Sequence, residues 1–396
     1  MTASAQRAAR PPRVMIISGE ASGDFLAAEL LNELSAEFPG LTAFGVGGLK
    51  SRAAGLESLY HPNELSLIGL AEVVRHLPRL VSIMNALTAR MRADRPDLLV
   101  TVDLPDFNFR LAKRAKKLGV PVIHYVSPQV WAWRRGRADK LAGFLDHLLA
   151  LFPFEPEIYA GTGLPVSFVG HPLVHRAQPK RSREQMRADL GLADDAPLIA
   201  LLPGSRPGEI ARLLEPMLLA AVRLRMEKPN TYFAIALADT LDEASLRAHW
   251  PAEAESLSVS IIPNGAYDLL GACDAALVAS GTATLEAALI GAPMVVVYRV
   301  NALTYAIGRR VIQVPYISLA NLVAGEGVVP ERIQHEANPD TLCQDLRTLL
   351  DDPQAAAQQR QGLARIRQQL STPPRTAGAI VSEFLHQQLG DIQENT

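Results

Sequence analysis

The sequence predicts an α/β protein made of two doubly wound parallel-sheet domains with a helical C-terminal tail. Three observations predict it. Short apolar runs alternate with longer amphipathic segments along most of the chain, the pattern of parallel strands covered by helices. Several runs end in a glycine- or proline-containing turn that opens a helix, as strands of such sheets do. The alternation also stops once: residues 175–196 are polar and charged without strand patterning, and it restarts at Leu198.

Taken in order, Val14–Ser18 reads as a strand and leads through a glycine turn to a helix from about Asp24 to Phe38. Leu41–Val46, Leu98–Asp103, Val122–Ser127, Leu148–Phe152 and Val166–Val169 are the further strand candidates of the first half. Between them, Leu65–Leu77 is apolar around nearly its whole circumference, whereas Leu80, Ile83, Met84, Leu87 and Met91 after Pro78 make one helical stripe. The second half supplies Leu198–Leu202, Tyr232–Leu237, Val259–Ile262, Ala275–Val278 and Met294–Tyr298. From Asn338 the composition is helical, with starts near Pro339, Pro353 and Pro373. The expected division is an N-terminal domain at 1–175, a linker at 176–195, a second domain at 196–352 and C-terminal helices at 353–396. Ligands of such sheets sit at the carboxyl ends of strands, so a cleft facing both domains is the expected site.

Composition limits the class. With 396 residues, 48% apolar and 20% charged, the chain is neither disordered nor a small disulfide scaffold. Its two cysteines, Cys273 and Cys343, and the absence of metal-ligand spacing favour a reducing compartment without a structural zinc. The apolar run Val14–Ile17 is too short for a signal-peptide core, and no stretch reaches the roughly 18 apolar residues of a membrane span. A cytoplasmic protein is expected. The net charge of −2 conceals a basic stretch, since residues 110–140 hold nine basic residues and one acid.

Four segments could carry chemistry. The first turn, Ser18-Gly19-Glu20-Ala21-Ser22-Gly23-Asp24, stands where a dinucleotide fingerprint would stand, but it is not G-x-G-x-x-G and Glu20 would repel a pyrophosphate. Either its glycines serve the turn and Asp24 caps the helix, or Ser18, Glu20 and Ser22 meet a polyhydroxylated ligand. In Val102-Asp103-Leu104-Pro105-Asp106-Phe107-Asn108, two carboxylates end a buried strand, where desolvation and mutual repulsion suit general-base work. A plain helix cap at Asp106 is the alternative. After His124-Tyr125, the residues Trp131, Trp133 and Arg134 suit stacking on a sugar and holding an anion, or form core tryptophans beside a basic surface.

In the second half, Gly204, Ser205 and Arg206 end a strand and open a helix, giving close backbone approach, a favourable dipole and a guanidinium fork for phosphate. Ser280-Gly281-Thr282 repeats the arrangement, and Glu286 lies one turn inside its helix, placed to accept both hydroxyls of a ribose or simply to complement the dipole. Together the two loops read as a nucleotide-diphosphate site. The greasy segment Leu65, Leu67, Ile68, Leu70, Val73, Val74 and Leu77 is either buried core or set against a membrane, with arginines near lipid phosphates.

At these residues the chain resembles the lipid-A-disaccharide synthase family, through SGEASGD, VDLPDFN, HYVSPQVWAWR, FVGHP, LPGSR, SGTATLEAALIGAPMVVVYR and SLANLVAG. The resemblance spans nearly the whole chain. It implies a GT-B glycosyltransferase with an N-terminal acceptor domain and a C-terminal UDP-sugar domain. The implied reaction joins UDP-2,3-diacylglucosamine to 2,3-diacylglucosamine 1-phosphate (lipid X), giving a β-1′,6-linked disaccharide phosphate and UDP with inversion. It implies no metal or organic cofactor and no nucleic acid. The implied location is the cytoplasmic face of the inner membrane, against anionic phospholipid, and a homodimer is left open. Asp106, or second to it Asp103, is expected to deprotonate the acceptor hydroxyl. Carried over from the family, Glu286 holds the ribose while Ser280, Gly281, Thr282, Asn321 and Gln334 line the donor site. The alternatives are another UDP-sugar enzyme, such as a peptidoglycan glucosaminyltransferase or an epimerase, and a non-catalytic nucleotide-sugar or lipid binder.

Overall fold

The computed structural model describes residues 10–65, 70–128, 138–193, 195–301, 305 and 314–394, without the side chains of residues 21, 70–76 and 391–394. The chain forms two compact units, one comprising residues up to Gly170 together with Pro373 onward, the other His171–Thr372.

In the first unit, β1 (Arg13–Ser18), β2 (Thr42–Val46), β3 (Leu56–Tyr60), β4 (Leu98–Val102), β5 (Val122–Tyr125), β6 (His147–Ala150) and β7 (Val166–Phe168) make one sheet. Their order is β3-β2-β1-β4-β5-β6-β7, and each neighbouring pair is parallel. Ile16 sets the central register, opposite Gly45 on one side and Val100 on the other. Both faces are covered by helices, which is why the central strands read as unbroken apolar runs. In the second unit, β8 (Leu198–Leu202), β9 (Tyr232–Leu237), β10 (Val259–Pro263), β11 (Ala275–Ala279), β12 (Met294–Tyr298) and β13 (Glu331–Ile333) are ordered β10-β9-β8-β11-β12-β13, again parallel throughout. In each sheet the strand order reverses at one point, between β1 and β4 and between β8 and β11. These switch points are where the carboxyl ends of open α/β sheets receive ligands.

The predicted strands are present, with β4, β5, β6 and β7 ending one or two residues earlier than their apolar runs. Two strands carry no strong sequence signal. β3, with sequence Leu-Glu-Ser-Leu-Tyr, is a half-buried edge, and β13 is a three-residue edge of Glu-Arg-Ile. Their apolar content is low because an edge strand packs on fewer neighbours.

One helix, Leu70–Asp94, runs through Pro78, so the end of the greasy segment and the stripe after it belong to a single element. Its stripe is core-facing as read: Ile83, Leu87 and Met91 are wholly buried and Met84 nearly so. Leu65 is also core, at 5% exposure, so the greasy segment is not uniformly a surface. Leu77 faces solvent at 44%. Leu67 and Ile68 lie outside the described residues, as do the side chains of Leu70, Val73 and Val74. Among the described residues no helix is long and apolar enough to cross a membrane.

Residues 176–195, expected as linker, carry a helix at Arg183–Asp189 that is tied into the second unit. Arg183 donates to the carbonyls of Ala272 and Cys273 at 2.7 and 3.0 Å, and the amides of Lys180 and Arg181 donate to Asp268. The C-terminal helices divide. Pro339–Asp351 and Pro353–Ser371 belong to the second unit, whereas Ala377–Glu394 packs on the first unit's helix Ala21–Glu37.

Candidate active site

The second unit's switch point holds a cavity of about 620 Å³. Its floor is the carboxyl end of the sheet, at Leu202, Leu237 and Ala279, and its rim comprises the turns after β8 and β11. Gly204, Ser205, Arg206, Ser280, Gly281, Thr282 and Glu286 all line it, so the structure gathers into one place residues separated by 70 or more positions in the chain. The two turns are not alike. After β11, Gly281 takes φ +151 and opens the helix Thr282–Ile290, in which the Thr284 amide returns to Gly281 O at 3.1 Å while the amides of Thr282 and Ala283 precede any intrahelical acceptor. After β8, Glu209 folds back and its carboxylate accepts the amides of Ser205 at 2.9 Å and Arg206 at 3.3 Å. Gly204 makes room for this, since a Cβ there would lie 2.3 Å from the Glu209 Oε2. The β8 turn, read as open to an anion, is thus capped by its own carboxylate, while the β11 turn presents free donors. The Arg206 side chain is 81% exposed and 3.7 Å from Glu209, a weak pairing that leaves the guanidinium disposable.

Glu286 projects from the second turn of its helix to the cavity wall, where the Tyr267 hydroxyl donates to its Oε1 at 2.8 Å. Burial raises the Glu286 carboxyl above its ordinary range, opposed by the hydrogen bond from Tyr267 and the charge of Arg176. Burial and the neighbouring Glu286 carboxylate in turn push the Tyr267 hydroxyl well up, so it stays a proton donor. Tyr267, Asn264 and Asp239 line the cavity without having been predicted. Asn264-Gly265 at the end of β10 was legible as a turn; Tyr267 carried no signal.

Asn321 and Gln334 are placed otherwise. Asn321 is 1% exposed and its amide is consumed: Nδ2 donates to Val329 O and Glu331 Oε1, both at 2.9 Å, and Oδ1 accepts the Val329 amide at 3.0 Å. Glu331 also accepts from Ser318 and Ile317. The SLANLVAG motif therefore gathers around a half-buried carboxylate, Glu331, that joins the helix Leu319–Ala324 to β13. The Gln334 amide clamps both the N–H and the C=O of Val300. Neither side chain lines the cavity.

In the first unit, the switch point joins the turns after β1 and β4. Ser18 is wholly buried and its hydroxyl donates to Val46 O at 3.3 Å, which removes it from the ligand face. Glu20 and Ser22 are exposed. Asp24 does not cap its own helix. It accepts the amides of Gly48, Lys50 and Ser51 and the Ser51 hydroxyl, so it anchors the start of the short helix Leu49–Ala53. Burial alone would raise its carboxyl, but those four bonds together hold it below the usual range.

The two carboxylates after β4 occupy different surroundings. Asp106 is exposed on the first turn of the helix Pro105–Lys117. Asp103 is half-buried, and burial pushes its carboxyl up. The backbone there is unusual, with Asp103 at φ +53 and Leu104 at φ +46. Of the six non-glycine residues with positive φ among the described residues, only Arg95 is not at a strand's carboxyl end. Asp103 and Leu104 follow β4, Val126 follows β5, Asn264 follows β10 and Gln334 follows β13. Such strain persists where the surroundings over-determine it, and functional sites are where it collects. Trp131, Trp133 and Arg134 lie outside the described residues. His124, at the head of their motif, is a core residue: Nδ1 shares a 2.8 Å hydrogen bond with Thr101 Oγ1, and burial pushes its pKa down to about 3.

Comparison with known proteins places this geometry. A family model described as lipid-A-disaccharide synthetase matches residues 14–382. A relative from Anaeromyxobacter dehalogenans named lipid-A-disaccharide synthase is 45% identical over 361 residues, covering 91% of this chain and 94% of its own. One of the same name from Geobacter metallireducens is 44% identical over 376 residues, covering 94% and 97%. Among solved structures, the UDP-GlcNAc 2-epimerase of Neisseria meningitidis bound to UDP-GlcNAc superposes with a TM-score of 0.60 at 14% identity, covering 95% of this chain and all of that one. A calicheamicin glycosyltransferase superposes with a TM-score of 0.56 at 17% identity, covering 97% and 99%. At those identities the structures speak to fold alone.

Proposed function

The chain belongs to the lipid-A-disaccharide synthase family, and from that membership we propose that it transfers the sugar of UDP-2,3-diacylglucosamine to the 6-hydroxyl of 2,3-diacylglucosamine 1-phosphate. The observation that carries the reading is the cavity at the second switch point, where an open helix N-terminus, Arg206 and the Glu286–Tyr267 pair surround one ligand-sized space. Ionised Glu286 would accept the ribose hydroxyls, leaving Tyr267 to hold its other oxygen. The amides of Thr282 and Ala283 would face the diphosphate, with Arg206 free to swing onto it.

Of the two carboxylates at the first switch point, we assign the base to Asp103, reversing the order expected from sequence. A raised pKa makes a carboxylate a stronger base, and semi-burial strengthens its hold on a hydroxyl proton. Asp103 takes the proton of the acceptor 6-hydroxyl, and that oxygen attacks the donor anomeric carbon. The bond from that carbon to the diphosphate oxygen breaks on the opposite face, configuration inverts, and UDP departs with the charge that the helix N-terminus and Arg206 would stabilise.

Both substrates are acylated and leave a bilayer reluctantly, at about 0.8 kcal/mol per buried methylene. We therefore place the enzyme peripherally on the inner face of the inner membrane, with the helix Leu70–Asp94, which exposes Leu77 and Val81, as the contact. The decisive experiment incubates purified protein with both acylated sugars and a chelator, and follows products by mass spectrometry. Disaccharide phosphate and UDP should appear in equal amounts. UDP-sugar conversion without acceptor, or binding without turnover, would refute the proposal.

A further inference from the structure

We infer that Asn108 is a positioning residue for this reaction, its buried amide holding the left-handed turn that aims Asp103. The inference rests on the assignment of Asp103 as base. Asn108 is wholly buried on the second turn of the helix Pro105–Lys117. Its Nδ2 reaches back to two successive carbonyls, Val102 O at 3.2 Å and Asp103 O at 2.7 Å. Its own amide N–H donates to Leu104 O at 2.9 Å. One residue therefore touches the last residue of β4 and both residues of the turn. The Asp103 amide continues the sheet by donating to Tyr125 O at 2.9 Å, so strand geometry persists up to that nitrogen and is lost immediately after it.

The cost of this arrangement identifies its purpose. Asn108 Oδ1 is buried and meets no donor among the described residues. An apolar side chain of similar volume would fill the space without leaving an orphaned acceptor, so the residue is retained for its two donors. Two consecutive non-glycine residues at φ +53 and +46 do not hold themselves, and strain of this kind survives only when neighbours impose it. Asn108 grips the turn from below. Gly19 secures it from the β1 side, since a Cβ on Gly19 would lie 1.6 Å from the Leu104 Cδ1. The Leu104 side chain thus occupies the room that Gly19 leaves, and the two turns of the switch point are locked together. Freed of the amide, the turn could relax toward ordinary backbone and swing the Asp103 carboxylate off its line.

The test separates positioning from mere stability. Asn108→Ala and Asn108→Ser, which keeps one donor, are compared with Leu111→Ala, a wholly buried core position on the same helix. Turnover of both acylated sugars is measured beside melting temperature. Asn108→Ala should lower kcat by about 10- to 100-fold with KM little changed, as sub-ångström to ångström misplacement of a reacting group does. Asn108→Ser should recover part of the loss, and Leu111→Ala should melt earlier yet keep kcat. If both Asn108 variants keep kcat, or lose only what Leu111→Ala loses, the inference is wrong; should the alanine variant not fold, the serine variant decides alone. Asp103→Asn separates the two claims. Retained turnover there removes the base assignment, whereas an inactive Asp103→Asn beside normal Asn108 variants removes only this inference.

Discussion

Asp103 and Glu286 are carboxylates kept above their ordinary pKa by burial, and in the roles proposed for them folding and function pull against one another. For Asp103 the sign is set by linkage. A carboxyl whose folded pKa is raised contributes stability below its unfolded value and loses it as pH rises through the folded value. At neutral pH the ionised side chain is therefore a burden on the fold, and asparagine, which also tolerates the left-handed backbone, removes it. Asp103→Asn should melt higher than the parent at neutral pH, the advantage closing as pH falls through the carboxyl range, while turnover drops by about 10²–10⁴-fold, the usual worth of a general base. Asp106→Asn should keep most activity, and a pair of kinetic assays checks both. For Glu286, UDP binding should weaken as pH falls through the raised value and the carboxylate is lost. The Tyr267 hydroxyl opposes that rise, so Tyr267→Phe should move the onset of weakening to higher pH in calorimetric titrations. An unshifted onset would disconnect Tyr267 from the site.

Among elements, the helix Leu70–Asp94 has two faces with different work. Ile83, Leu87 and Met91 recur at helical spacing and anchor it in the first unit's core, while Leu77 and Val81, one turn apart, remain 44% and 48% exposed. Pro78 and Arg79 lie between them, and Arg79 is held by Glu64 and leans over Tyr60. An apolar pair beside an arginine suits the surface of an anionic bilayer, with an electrostatic share that salt screens. Replacing both Leu77 and Val81 with serine should reduce binding to vesicles containing anionic phospholipid. Melting temperature should hold, because exposed positions contribute little to core packing. Undiminished vesicle binding in a sedimentation assay would exclude this face.

For the whole molecule, the last helix is the informative element. The chain completes its second unit by Thr372 and then returns to the first, where Ala377–Glu394 covers the helix Ala21–Glu37. Ile380, Val381, Leu385 and Leu389 are buried there, and Thr376 donates to Glu33 at 2.6 Å. Four such side chains contribute about 1.5 kcal/mol or more each, a large share of the ~5–15 kcal/mol that holds a domain together. A chain ending at Thr372 should therefore lose the cooperative melting of its first unit and become protease-sensitive before Gly170. Its second unit should still bind UDP. Loss of UDP binding with intact first-unit melting would reverse the roles assigned to the two units.

The sequence alone determined the inner strands of both sheets, because fully buried parallel strands must be apolar on both faces and stand out as unbroken runs such as Leu98–Val102 and Met294–Tyr298. It also pointed to Gly204, Gly281 and Glu286, three residues on two strand-to-helix connections that the structure gathers along one cavity. Edge strands β3 and β13 were hidden, having one packed side or almost none. Tertiary structure alone decided which polar residues were already spent. Ser18, Asp24, Asn321 and Gln334 read in sequence as free or local groups, yet each bonds a partner 8 to 34 positions away. Likewise, the different surroundings of Asp103 and Asp106, three residues apart and identical in type, exist only in the fold. What separates them is desolvation and backbone sign, and both are set by neighbours that the chain brings in from β1, β5 and the helix that Asn108 anchors.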